Sequence, residues 1–197
     1  NVFRNAMLAL MVYQMGLSTE QSTLYANLAP ALFILPYFLF SATAGQIAEK
    51  YEKARLIRVT TAMEIAIMSL ASFGFIYGIP WLLLFCLFLT GVQSTLFGPV
   101  KYAILPQVLA PEELTGGNGL VEMGTSISIL IGMIAGMSLL MIPEYGPQAA
   151  AAAMIALAIT GHLVSRAIPM APAIEPDLKI NPNIMAMVSN TDKLGFE

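Results

Sequence analysis

The chain has 197 residues, of which 57% are hydrophobic and 11% are charged, and its mean hydropathy is +0.75. These values exclude an ordinary soluble domain, in which about a quarter of the residues are charged. The net charge of -3 without a basic patch excludes a nucleic-acid partner, and the single cysteine, Cys86, excludes a disulfide framework or a cysteine metal site.

Long charge-free stretches predict membrane-spanning helices. Each is about as long as, or longer than, the roughly 20 apolar residues that cross the hydrocarbon of a bilayer. They cover 21–48, 65–100, 123–143 and 147–165. The chain is therefore predicted to be an all-α membrane protein.

The predicted spans follow one another with short connections. The first apolar segment, residues 1–15, is too short to span and lacks the features of a signal peptide, so we expect a first helix whose beginning lies upstream. Pro30 and Pro36 are expected to be tolerated within the second span, because neighbouring helices can satisfy the freed carbonyls. The remaining five spans are predicted at 24–48, 59–77, 81–109, 118–142 and 148–167.

The connector between the second and third spans sets the predicted orientation. It carries four basic residues, whereas the loops near Glu20, Gly78 and Glu144 carry none. The positive-inside rule places this connector, and both ends of the chain, in the cytoplasm. Residues 1–168 are then a helical bundle, and the proline-containing stretch 169–197 is a cytoplasmic linker toward a missing second half.

The connector contains GQIAEKYEKAR, residues 45–55, which resembles the signature of the major facilitator superfamily. A glycine is expected to allow close helix approach, and the charges are expected to form a clasp that opens and closes during transport. The predicted gating residues are Gly45, Glu49, Lys50, Lys53 and Arg55. The match is imperfect, because Glu49 replaces the usual aspartate and Glu52 stands where a glycine is common. The alternative is a basic loop that only sets topology.

The fifth span carries a stripe of small residues at a spacing of four. Such a stripe allows two helices to pack closely, although it is common in membrane helices of every function. Superfamily members carry a similar glycine-rich fifth helix, which packs against the other half of the transporter. The predicted packing residues are Gly124, Ser128, Gly132 and Gly136.

Ionisable residues within the spans indicate a transport pathway, because charges are costly in hydrocarbon. Lys101 lies near the end of the fourth span and Glu122 near the start of the fifth, so both fall in the cytoplasmic half and are predicted to pair. Glu64, at similar depth in the third span, is the competing partner. The alternatives are an ion pair that only fixes helix register and a lysine that snorkels to the interface.

A second polar group lies in the first span. Arg4 and Asn5, flanked by Asn1, are about 16 to 18 Å from the outer end of that span if it ends near Gly16. This depth is close to the membrane midplane, where transporters of this kind bind substrate. We therefore expect these three residues to contribute to the substrate site.

Three stretches extend the resemblance to a particular family. NVFRNAMLALMVY at the start, FGPVKYAILPQVLAPEELTGGNGLVEMGT at 97–125 and GMIAG at 132–136 are similar to the lysophospholipid transporter family. Some of its members are fused to phospholipid acyltransferase and acyl-carrier-protein synthetase domains. In that family pattern Lys101 and Glu122 match an intramembrane lysine and glutamate, and Arg4 and Asn5 match a basic-asparagine pair.

The resemblance implies the N-terminal six-helix half of a twelve-helix facilitator in the inner membrane. Such a protein moves lysophospholipids, chiefly lysophosphatidylethanolamine, to the inner leaflet by alternating access. The implied partners are the bilayer, the lysophospholipid, a C-terminal six-helix half and an associated or fused acyltransferase. No cofactor, metal or nucleic acid is implied.

Other functions leave different traces in a sequence. A general facilitator that exports drugs or metabolites would share the connector motif and the small-residue stripe, but not the block at 97–125. A membrane-embedded acyltransferase would need a His-x4-Asp pair or a similar constellation, and His162 is the only histidine, so no catalytic residue is predicted. A structural membrane protein would have little need for four ionisable groups within its spans.

Overall fold

The computed structural model describes residues 18–180 together with Phe3 and Met7. Within this part every regular element is helical, and five segments are long and apolar enough to cross a membrane. The all-α prediction is confirmed there, whereas the first predicted span lies outside the described residues except for Phe3 and Met7. The helices are α1 (Thr19–Lys50), α2 (Lys53–Tyr77), α3 (Pro80–Ala103), the short α4 (Leu105–Val108), α5 (Leu114–Leu140) and α6 (Gly146–Ser165), with a 3-10 turn at Pro111–Glu113.

Side-chain caps extend the helices beyond the predicted spans. The Ser18 hydroxyl accepts a hydrogen bond from the Gln21 amide at 3.2 Å, which starts α1 five residues before the predicted position. Glu52 caps α2 in the same way by accepting from the amides of Ala54 and Arg55. The loop predicted at 49–58 is therefore too long, because only Tyr51 and Glu52 lie outside the two helices.

Proline ends α3 earlier than the predicted span 81–109. Pro106 has no amide hydrogen to donate to the carbonyl of Tyr102, and its ring crowds that carbonyl. Helix α3 accordingly ends at Ala103, and α4 begins as a separate short helix. The predicted start of the fifth span at residue 118 is also wrong, since the turn at Pro111–Glu113 leads directly into α5 at Leu114.

Helix α1 contains two internal prolines and is nevertheless continuous over 32 residues, as predicted. It packs closely on α3 at Gly91, where a built Cβ atom would lie 2.5 Å from the Phe33 carbonyl oxygen and 3.0 Å from Pro36 Cγ. Only glycine fits this contact without a shift of the backbone. Gly91 thus marks a close approach of these two helices.

The main core lies between α1, α2, α3 and α6. Its largest fully buried apolar side chains include Phe75, Leu83, Leu87 and Met7, and the ring of Phe3 meets that of Phe75 edge-on at 6.0 Å. Helix α5 is the least buried of the long helices, since its only buried residues are Gly132, Gly136 and Leu140. One face of α5 is therefore left uncovered by the described helices.

Polar side chains join α2 to its neighbours inside this core. Thr61 Oγ1 lies 3.1 Å from His162 Nδ1 and 3.2 Å from Ser165 Oγ on α6. Gln93 on α3 donates to the Thr60 carbonyl at 3.3 Å. These bonds satisfy buried polar groups and fix the register of α2 against both partners.

One end of the bundle, here named the connector end, holds Tyr51 and Glu52. The helices alternate in direction, so α1, α3 and α6 end there and α2 and α5 begin there. A second, smaller apolar cluster closes this end and consists of Ala48, Ile57, Val100, Ile104 and Ala171. Because Ala171 belongs to the stretch after α6, the predicted linker begins as a segment packed on the bundle.

Candidate functional site

Lys101 lies in the last turn of α3, at the connector end of the bundle. The break caused by Pro106 places it there, where the partial negative charge of a helix C-terminus favours an ammonium group. Helix α5 begins at the same end and brings Glu122 alongside. The predicted pair is present, with Lys101 Nζ 3.6 Å from Glu122 Oε1.

Two further side chains complete this site, named here the lysine cluster: Lys101, Tyr102, Glu122 and Thr125. The Lys101 ammonium lies 4.6 Å from the centroid of the Tyr102 ring, a cation–π distance. The Tyr102 hydroxyl donates a hydrogen bond to Glu122 Oε1. Tyr102 therefore contacts both charges of the pair.

Thr125 accepts the hydrogen bond that Lys101 donates. Its hydroxyl donates to the Val121 carbonyl one turn earlier at 2.7 Å, which leaves its oxygen free to accept. Lys101 Nζ donates to that oxygen at 3.2 Å. The direct hydrogen bond of Lys101 thus goes to a neutral group, whereas the carboxylate stands slightly farther away.

The lysine cluster is accessible. The side chain of Lys101 is 23% exposed and that of Glu122 is 57% exposed. An ion pair that only fixes helix register would be expected deep between helices, where removing one partner is severely destabilising. The described helices instead leave both charged side chains of this pair open on one side.

The other predicted pathway residues do not join this cluster in the described part of the chain. Glu64 is half-buried on α2, and no ion pair links it to Lys101 among the described residues. Glu64 as the competing partner of Lys101 is therefore wrong for this structure. Asn1, Arg4 and Asn5 lie outside the described residues.

The predicted gating residues surround the connector, and among the described residues they form no ion-pair clasp; their gating role stays a prediction. Within residues 18–180 no ion pair joins Glu49 to a basic side chain of the connector. Lys50 lies 5.9 Å from the Tyr51 ring centroid, and Lys53 is completely buried. Arg55 is exposed in the first turn of α2, where its backbone amide is capped by Glu52.

Gly45 has no close helix contact among the described residues, where a Cβ atom built on it meets no atom within 4 Å. The expected approach of a neighbouring helix therefore stays a prediction at this position. Within the described residues a close approach occurs at Gly91. The sequence signal for it was a pair of small residues, since Thr95 follows Gly91 at the spacing of four and is also buried.

The small-residue stripe of α5 divides into two parts. Gly132 and Gly136 are buried, whereas Gly124 and Ser128 are exposed, and a Cβ atom on Gly124 would meet nothing within 4 Å. The described helices therefore leave the Gly124 end of the stripe open.

Three residues at the connector end were not singled out from the sequence as site residues. Tyr102 follows Lys101 directly. Thr125 lies three residues after Glu122, a spacing that places Thr125 and Glu122 on the same face of α5. Glu52 was noted only as a departure from the usual glycine. Its position just before α2 is the available signal, because acidic residues cap helix N-termini.

Comparison with known proteins places the chain among membrane transporters. A family model described as Major Facilitator Superfamily matches residues 1–183. No solved structure is matched.

Several similar proteins carry the name lysophospholipid transporter LplT. The protein of Serratia proteamaculans is 30% identical over 153 residues, which is 78% of this chain and 36% of the relative. The protein of Cronobacter sakazakii is 29% identical over 152 residues, covering 69% of this chain and 37% of the relative, and that of Salmonella typhimurium is 31% identical over 105 residues, covering 53% and 25%. The chain thus spans between a quarter and little more than a third of the length of these relatives.

Proposed function

We propose that this chain, which belongs to the Major Facilitator Superfamily, forms part of a transporter that moves lysophospholipids across a cell's inner membrane. Proteins similar to it bear the name lysophospholipid transporter, which supports this choice of cargo. The observation that carries the proposal is the lysine cluster. It presents an accessible ammonium group whose ligands can be replaced.

A lysophospholipid has a phosphate head and one acyl chain, and the surroundings of Lys101 suit both. The ammonium is a natural partner for the phosphate. On α5, Ile129 and Met133 follow Glu122 at spacings of seven and eleven, which places them on the same face two and three turns along the helix. Both are exposed, at 37% and 44%, so an apolar track leads away from the charged site.

Glu122 acts in this proposal as the partner of Lys101 when no phosphate is present. The separation of 3.6 Å exceeds a direct hydrogen bond, and the hydrogen bond of Lys101 is made to Thr125. An arriving phosphate can therefore displace the carboxylate without breaking the bond to Thr125. After release of the cargo, Glu122 neutralises the ammonium again.

The architecture proposed for the whole protein extends beyond the described helices. Residues 1–15 would supply the first of six spans in an N-terminal half, with Asn1, Arg4 and Asn5 near the midplane and Glu64 on the pathway. The basic connector would face the cytoplasm, and the stretch after residue 168 would lead toward a second half. A fused or associated acyltransferase would use the delivered lysophospholipid. Alternating access would then open and close the connector end.

Uptake of lysophosphatidylethanolamine into spheroplasts tests the role of Lys101. In the full-length protein we expect Lys101→Ala to lower the initial uptake rate by about tenfold or more, because a charged hydrogen bond to the phosphate is lost. Lys101→Arg should retain part of the rate, since a guanidinium also binds phosphate. Lys179→Ala, which removes an exposed lysine that is not part of the cluster, should leave uptake unchanged.

Equal amounts of each variant in the membrane are required for this comparison. Unchanged uptake by Lys101→Ala at normal expression would show that Lys101 does not contact the cargo. Equal loss of uptake in all three variants would show that the effect is not specific to the charge at residue 101. If Lys101→Ala abolished export of an unrelated compound and left lysophospholipid uptake intact, the chain would belong to a general exporter.

A further inference from the structure

The stretch that follows α6, residues 168–175, runs across the connector end instead of leaving the bundle. It is named here the strap. We infer that Glu52 and Lys53 form a docking site for the strap, which ties the exit of α6 to the ends of α1, α2 and α4. This inference does not depend on the identity of the transported molecule.

Backbone groups hold the strap at two points. At Ala171 the carbonyl accepts from the Lys53 amide at 2.9 Å, and the amide donates to Glu52 Oε1 at 3.0 Å. Both polar groups of this residue are therefore used by two adjacent connector residues. Farther along, the amides of Ile174 and Glu175 donate to the Glu49 carbonyl at 3.0 and 3.2 Å, which satisfies an otherwise open carbonyl at the end of α1.

Long polar side chains hold the strap at its carbonyls. Lys53 Nζ donates to the Pro172 carbonyl at 3.0 Å, and Gln107 Nε2 reaches the same oxygen at 3.2 Å. Arg58 Nη2 donates to the Ile168 carbonyl at 3.2 Å. The donors come from α2 and α4, so the strap bridges two helices that do not follow each other in the chain.

Lys53 shows that this docking is specific. Its side chain has 0% exposure, and in the described part of the chain no carboxylate lies within ion-pair distance of its ammonium. The carboxylates of Glu49 and Glu52 attract the ammonium from a longer distance. The Pro172 carbonyl accepts its hydrogen bond, so the strap supplies part of the compensation that a buried charge requires. Without the strap, Lys53 would have to turn outward to water.

Ala171 fits the apolar part of the docking site. It is 1% exposed and packs with Ala48, Ile57, Val100 and Ile104 in the small cluster of the connector end. Its single methyl group lets the strap backbone approach near enough for the bonds to Glu52 and Lys53. The neighbouring Met170 is 83% exposed, so only one side of the strap is packed.

The docked strap changes where the chain effectively leaves the bundle. The last hydrogen-bonded contact of the described chain with the bundle is made by the strap to Glu49 at the end of α1, and not at the end of α6 at Ser165. A pull on the chain beyond Glu175 therefore acts first on α1 and the connector. This also accounts for Glu52 at a position where superfamily members commonly carry glycine, since glycine has no carboxylate to hold the Ala171 amide.

Cysteine accessibility in inside-out vesicles that contain the full-length protein tests the docking. We expect Ala171→Cys to react with a membrane-impermeant maleimide at least about tenfold more slowly than Met170→Cys, because only the latter side chain is exposed. Adding Glu52→Ala to Ala171→Cys should raise its rate toward that of Met170→Cys. Adding Glu112→Ala, which removes an exposed carboxylate at the same end, should leave the rate low.

The native thiol Cys86, buried in the core, reports whether each variant remains folded, because it should stay unlabelled throughout. Equal labelling of Ala171→Cys and Met170→Cys without Glu52→Ala would overturn the inference. Continued protection of Ala171→Cys in the presence of Glu52→Ala would overturn the role of Glu52.

Hydrogen exchange provides a measurement that needs no new cysteine, should Ala171→Cys itself disturb the fold. The amides of Ala171, Ile174 and Glu175 all donate hydrogen bonds, so a peptide covering 168–175 should exchange slowly in the unmodified protein. Glu52→Ala should accelerate exchange at Ala171 by about tenfold. Exchange of this peptide at the rate of an unstructured chain in the unmodified protein would show that the strap is not docked.

Discussion

Lys101 is held by contacts of three kinds, which differ in how readily they can be given up. The hydrogen bond to Thr125 is directional and has a neutral acceptor. The cation–π interaction with the Tyr102 ring depends less on direction, and the attraction to Glu122 acts at a longer distance. Tyr102 is the residue that links the two charges, because its ring faces the ammonium and its hydroxyl bonds the carboxylate. Its two functions can be separated by substitution.

Tyr102→Phe keeps the ring and removes the hydroxyl, whereas Tyr102→Leu removes both. We expect Tyr102→Leu to lower the initial rate of lysophospholipid transport in proteoliposomes by about two- to fivefold, the value of one cation–π contact at a partly exposed site. Tyr102→Phe should fall between this variant and the unmodified protein. Tyr145→Phe, at an exposed tyrosine in the turn between α5 and α6, is the matched control and should have no effect. Identical rates for Tyr102→Leu and the unmodified protein would exclude a positioning role.

Glu52 is the second residue whose chemical behaviour can be predicted, because its contacts determine the direction of its pKa shift. Partial burial opposes its ionisation, but hydrogen bonds from the amides of Ala171, Arg55 and Ala54 outweigh this and hold its pKa below the usual 4.5. A carboxyl group with a lowered pKa in the folded state stabilises that state when ionised. The contribution is complete above the usual pKa and is lost as the pH falls through the lowered one.

Protection of the strap against hydrogen exchange should therefore be independent of pH from neutrality down to about 5, and should decline only in acid below the usual carboxyl pKa. The measurement is the protection factor of the peptide 168–175, which corrects for the pH dependence of intrinsic exchange. Glu52→Gln cannot ionise and should show weaker protection without the acid-dependent decline. A decline centred near neutral pH would assign the dependence to another group.

At the scale of helices, composition predicted the number and order of the described spans, because charge-free stretches of sufficient length have few other uses. The predicted ends of the helices were less accurate, because single residues near them decide where a helix begins and ends. Glu52 and Ser18 extend helices through side-chain caps, and Pro106 divides the fourth predicted span. The polar sequence around capping residues has the composition of a loop, and only the capping hydrogen bonds show that it is helical.

The lysine cluster was predictable in part. Lys101 and Glu122 could be paired from sequence because both lie near the same end of their helices. The contacts of Tyr102 and Thr125 depend on how α3 and α5 are rotated about their axes, which spacing alone does not determine. The strap was missed because backbone groups make most of its bonds, and a stretch with several prolines has the composition of a free linker.

Gly91 provides a test of the packing between α1 and α3. Gly91→Ala would place a methyl carbon 2.5 Å from the Phe33 carbonyl oxygen, a backbone atom that cannot move without displacing α1. We expect a loss of about 1–3 kcal/mol in the free energy of unfolding, as for other overpacked sites. Thermal unfolding of the purified full-length protein in detergent measures this as a lower transition temperature.

Gly98 on the same helix is the matched control, because a Cβ atom there meets nothing within 4 Å. Gly98→Ala should be neutral or slightly stabilising, since alanine is favoured over glycine in a helix by up to about 1 kcal/mol. If both variants lowered the transition temperature equally, the contact at Gly91 would not be the cause.

At the scale of the whole molecule, the described helices leave one face of α5 uncovered, and two different surfaces could meet it. Lipid would tolerate added apolar volume there, whereas a closely packed helix from a second half would not. The exposed end of the small-residue stripe, at Gly124 and Ser128, distinguishes these cases. Both positions are open here, so enlarging them disturbs no contact among the described helices.

Gly124→Leu should therefore leave this bundle folded but lower transport by the full-length protein by about tenfold, because a leucine side chain prevents the close helix contact on which the proposed rocking of two halves depends. Gly161→Leu is the matched control. Gly161 is exposed on α6, a Cβ atom there also meets nothing within 4 Å, and it lies outside the stripe. Lysophospholipid uptake at equal expression should fall for the first variant and remain unchanged for the second. Equal uptake by both would place lipid, and not a second half of the transporter, against this face of α5.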